Sequence, residues 1–109
     1  MTARLTSEFW VAAHVRRCHL EGAYAMVRRR GAAEAGAIFL IVDRLDGRND
    51  FYVPAAQSEA DDTRARSFER VLEGVDGLKV EARLARELRF DPDVWIVAIE
   101  DREGRAFLD

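Results

Sequence analysis

The chain has 109 residues, enough for one hydrophobic core and too few for a second, so a single domain over residues 1–109 is expected. Hydrophobic residues at 49% and charged residues at 34% exclude wholesale disorder, and a net charge of -3 excludes a protein that grips duplex nucleic acid through an overall positive field. The lone Cys18 excludes an intrachain disulfide, and no apolar run approaches the ~20 residues of a membrane helix, so a reducing, cytoplasmic setting is expected.

Residues 7–21 read as a helix, with Thr6 or Ser7 able to cap its free N–H groups and Gly22 placed to end it. On a helical wheel Val11, Val15 and Cys18 form one apolar stripe, and Phe9, Ala13 and Leu20 form another roughly opposite. A helix covering one sheet needs only one such face, so this one is expected to meet a second surface, internal or on another copy of the chain. Arg4 and Glu8 punctuate the segment before and within it, which argues against a secretion leader.

Residues 23–30 then read as a strand and 31–36 as the turn that reverses it. Residues 37–44 are apolar on both faces, the pattern of a central strand covered on both sides. Leu45-Asp46-Gly47-Arg48 is a hairpin turn into a return strand over 49–53, closed by Pro54. Residues 55–62 are polar and irregular, and Asp61 or Asp62 can cap a short helix reaching Glu73. From Leu78 strand and helix periods compete; good helix formers and Pro92 favour a helix over 79–90. Residues 94–100 are a second strand apolar on both faces, and Arg102-Glu103-Gly104-Arg105 turns the chain into a short last strand at 106–108. The expected fold class is therefore α+β, a mainly antiparallel sheet of about five strands with three helices, in the order α-β-β-β-α-α-β-β.

Two stretches, residues 4–11 with Arg16-Arg17, and residues 84–95, resemble a small bacterial family catalogued as a domain of unknown function. The resemblance spans nearly the whole chain, including the turn at 31–36. It implies one complete domain and transfers no activity, cofactor or catalytic residue.

Several constellations bear on chemistry. His14 and Cys18 share a helix face, whereas His19 points about 100° away; three convergent ligands are lacking, so no metal site is expected. Cys18, on the apolar stripe, reads as a buried and inert thiol rather than a nucleophile, with the two histidines exposed or lightly paired. Arg28, Arg29 and Arg30 form the densest charge run and a candidate anion site, although successive strand residues point to opposite faces. Arg86, Asp91 and Asp93 form a candidate ligand site, because Asp91 and Asp93 flank Pro92 in a stiff turn.

No phosphate loop, Ser-His-Asp set or aromatic nucleic-acid platform is present, and no cofactor is implied. The leading expectation is a non-enzymatic interaction module that forms a homodimer, motivated by the doubly apolar first helix and the two strands without a polar face. The alternatives are an enzyme or binder of a small anionic ligand using Arg86, Asp91 and Asp93, and weak nucleic-acid binding through Arg28 to Arg30.

Overall fold

Thr6 starts helix α1 (Ser7–Leu20): its side-chain oxygen accepts the Phe9 N–H, one of the groups left without an intrahelical partner. The turn at 31–36 takes two more, with the carbonyls of Glu34 and Ala33 accepting the N–H groups of Ser7 and Glu8. The Ser7 hydroxyl donates to the Gly36 carbonyl at 2.6 Å, so the turn and the helix start are one unit. This computed structural model describes residues 5–56 and 66–108.

The further elements are β1 (Tyr24–Arg29), β2 (Ile38–Asp43), β3 (Asn49–Pro54), β4 (Phe68–Val75), helix α2 (Gly77–Phe90) and β5 (Trp95–Glu100). They form one five-stranded sheet in the order β1-β5-β2-β3-β4. β2 and β5 lie at its interior, as their apolar patterns require. Ile38, Leu40, Val42, Trp95, Val97 and Ile99 face α1, while Phe39, Ile41, Val94 and Ile96 face α2 with Val80 and Leu84. The result is three layers, one helix on each face of the sheet.

Three expectations are corrected. β2 and β5 run parallel, because the chain crosses from one to the other through β3, β4 and α2; the sheet is mixed, with its other pairings antiparallel. Residues 68–73 are strand, not helix, so the described residues hold two helices rather than three, in the order α-β-β-β-β-α-β. The proposed caps Asp61 and Asp62 lie outside the described residues. Residues 106–108 add no strand: Ala106 and Phe107 are instead buried against the α1 side of the core, and Phe107 adopts φ 61° to make that turn.

Candidate functional site

The edge strand β1 carries a bulge. Val27 opposes Val97 and Arg29 opposes Ile96, which leaves Arg28 as the extra residue. The Arg28 guanidinium makes a two-pronged ion pair with Glu81 of α2, and this bond holds the Glu81 carboxyl below the usual carboxylate range. The pair bridges a groove between α2 and the β1 side of the sheet. On one side of the bridge is a cleft of about 290 Å³ bordered by Arg29, Leu84, Leu88 and Ile96. On the other is a cleft of about 320 Å³ bordered by Asp43, Asn49, Gly77, Ala98 and Glu100.

The second cleft sits at the carboxyl ends of the parallel pair, beside the first turn of α2. That is the end of a strand array where open sheets most often present ligand groups. Asp43 and Glu100 are register partners on β2 and β5, with Asn49 opposite Asp43 and Tyr24 opposite Glu100, so four polar-tipped residues form one row across the sheet. Asp43 accepts the Leu45 N–H at 2.8 Å, and among the described residues neither carboxylate pairs with a cation. Sequence reasoning missed both; the available signal was that each is the first charged residue after a strand apolar on both faces.

Arg28, Arg29 and Arg30 diverge. Arg29 donates to the Pro92 carbonyl at 2.8 Å, and Arg30 pairs with Glu8 while its guanidinium lies 4.9 Å from the Trp95 ring centre. Nor does the fold gather Arg86, Asp91 and Asp93. All three are exposed, the Asp91 carboxylate accepts the Asp93 N–H at 3.0 Å, and the Asp93 carbonyl accepts the Ala32 N–H. The turn thus clips the end of α2 to the 31–36 segment, and among the described residues neither carboxylate pairs with an arginine.

Cys18 is fully buried, and burial pushes its thiol up to about 11. Among the described residues no group of ligating side chains is placed to hold a metal ion. His19 lies 2.8 Å from the Ala25 carbonyl and stacks on Tyr24.

Of the two expectations for His14, exposed or lightly paired, the second holds: it is only 6% exposed, stacked on Trp10, and its Nε2–H donates to the Ala106 carbonyl at 2.8 Å. Burial lowers its pKa below 6.5, opposed by that hydrogen bond and aided by Arg17. The unfolded chain therefore binds the proton more readily, so stability is complete above 6.5 and declines as pH falls through that value toward the lowered one. Thermal melts between pH 7.5 and 5 should show a falling midpoint. His14→Gln, which keeps a donor toward Ala106, should flatten that slope; an unchanged slope would assign it to another group.

The outer face of α1 is the second surface of note. Val11, His14 and Cys18 are buried beneath the helix, while Phe9 is 60% and Leu20 74% exposed above it. Ala12, Ala13 and Arg16 lie exposed between them.

Residues 5–109 match the family described as "Protein of unknown function (DUF1491)". The fold is similar to the solution structure of protein Atu0922 from A. tumefaciens, with 48% identity over 90% of this chain and 86% of that one and a TM-score of 0.81. It is similar as well to the crystal structure of a DUF1491 family protein from Caulobacter crescentus CB15, with 37% identity over 97% and 94% of the two chains and a TM-score of 0.80. No curated protein matches the chain.

Proposed function

The chain belongs to the DUF1491 family, and from that premise we propose that it is a non-enzymatic interaction module that works as a homodimer joined through the outer face of α1. The observation that carries this reading is the exposure of Phe9 and Leu20 on a helix whose opposite face is already in the core. The apolar faces of β2 and β5 are largely covered within the chain by α1, α2 and the 106–107 segment, so they offer no broad surface to a second copy. The outer face of α1 does. Ala12 and Ala13 at its middle let a second helix approach to the 8–10 Å typical of packed helices. An antiparallel crossing midway between Phe9 and Leu20, between the levels of Ala13 and Arg16, sets Phe9 of one copy beside Leu20 of the other, the self-complementary arrangement of a twofold interface.

The cytoplasm suits this reading, since its reducing environment keeps Cys18 a thiol. Among the described residues no helix is long and apolar enough to cross a membrane.

Light scattering at low micromolar concentration tests the proposal. The expected mass is twice 12.4 kDa, falling to 12.4 kDa in Phe9→Glu/Leu20→Glu with the melting midpoint nearly unchanged, because both side chains are exposed in the single chain. A wild-type mass of 12.4 kDa overturns it.

A further inference from the structure

The groove between α2 and β1 lies on the face of the sheet opposite α1, so it is independent of the proposed dimer surface. Its charge is ordered along its length. Asp43 and Glu100 stand at one end without cationic partners among the described residues, Arg28 and Glu81 neutralise one another at the middle, and Arg29 stands at the other end. Its floor is β5, with Ala98 under one cleft and Ile96 under the other. These two residues point to the same face, two positions apart, about 6.6 Å along the strand. That is also the spacing of side chains i and i+2 on an extended peptide.

We propose that this groove binds a short extended segment of a partner protein carrying a basic residue two positions from an aliphatic one. The ammonium or guanidinium group meets Asp43 and Glu100. The aliphatic side chain enters the other cleft, over Leu84 and Ile96, where it covers the surface that half-buried Leu88 leaves in water. The residue between them passes over the Arg28–Glu81 pair, which serves as a fixed divider between the pockets. Charge complementarity selects this occupant over an acidic peptide, whose carboxylates would face Asp43 and Glu100.

The test is an NMR titration of the ¹⁵N-labelled full chain with two blocked pentapeptides, Gly-Arg-Ser-Leu-Gly and the reversed Gly-Leu-Ser-Arg-Gly, since the groove fixes spacing rather than direction. At least one is expected to give saturable shifts at the amides of residues 28, 43, 81, 98 and 100. Replacing its arginine by glutamate, or making the isosteric Asp43→Asn/Glu100→Gln variant, should weaken binding by about tenfold or more. The asparagine side chain can still accept the Leu45 N–H, and matching spectra away from the groove verify that the variant is folded. Absence of shifts with both peptides at about 5 mM overturns the proposal, as does equal binding by the glutamate peptide or by the double variant. Groove shifts that grow with protein concentration alone would assign the groove to a second copy and overturn it equally.

Discussion

Trp95→Ala is expected to lower stability by about 3–5 kcal/mol and the melting midpoint by roughly 20 °C. Trp95 is only 1% exposed and is packed with Val11, Cys18 and the α1-facing residues of β2 and β5. Its indole N–H donates to the Ala32 carbonyl at 2.8 Å, and Arg30 lies over its ring. Removing it opens a cavity at the joint between the sheet, α1 and the 31–36 turn, and leaves the Ala32 carbonyl with the Gly36 N–H at 3.2 Å. Against a total stability of about 5–15 kcal/mol for a domain of this size, that is about a fifth or more. Trp95→Phe keeps most of the volume and loses the hydrogen bond, so it should cost clearly less. Thermal melts by circular dichroism separate the two; equal losses would mean that packing at this joint matters little.

Gly31→Ala should be comparably damaging for a different reason. A Cβ at Gly31 would lie 2.5 Å from the Asp93 carbonyl oxygen and 2.6 Å from the Val94 carbonyl carbon, so backbone meets backbone and no rotamer relieves the clash. The turn would have to leave the start of β5, breaking the hydrogen bond from the Ala32 N–H to the Asp93 carbonyl. Gly47→Ala provides the contrast. Nothing lies within 4 Å of a Cβ there, and only φ of 88° resists a side chain, a penalty of about 1–2 kcal/mol. Urea unfolding should therefore rank Gly31→Ala well below Gly47→Ala; the reverse order would show that the Gly31 contact relaxes freely.

The sequence was most legible where periodicity and packing agree. Residues 38–42 and 94–99 are apolar on both faces because they are covered on both faces, and this put them at the sheet interior without any pairing information. What the pattern does not carry is direction. The parallel pairing of β2 with β5 results from inserting the last strand between β1 and β2, a long-range choice invisible in either segment.

The failure at β4 has a local cause. Phe68, Val71, Leu72 and Val75 are spaced as on a helix, yet the segment is a strand whose pairing with β3 shifts register on both sides of Phe51. The irregularity lets Val71, Leu72 and Val75 all reach the α2-side core, which breaks the two-residue period and imitates a helical one. Gly74, at φ 65°, donates its N–H to the fully buried Asp50 carboxylate, which also receives the Arg44 guanidinium. Tertiary satisfaction of Asp50 and burial of those side chains thus outweigh the helix propensity of Glu69, Arg70 and Glu73.

The candidate sites divide similarly. Strand alternation separates Arg29 from Arg28 and Arg30, whereas the bulge at Arg28 brings Arg28 and Arg29 to the same cleft beside α2 and leaves Arg30 with Glu8 and Trp95. The stiff turn at Pro92 was legible, whereas its role as a clip for the 31–36 segment depends on contacts more than 50 residues apart in sequence. The doubly apolar pattern of α1 was visible at once. The structure adds that one of its faces is spent on the core and the other is left in water.

That outer face is tested most directly by Ala13→Cys treated with a short bismaleimide linker at micromolar protein concentration, with Lys79→Cys as the control site. Cys18 stays silent in both, being fully buried with its thiol pushed up to about 11. A covalent dimer from Ala13→Cys and little from Lys79→Cys is the expected result. Equal yields from both positions, or monomer from each, would contradict pairing through α1.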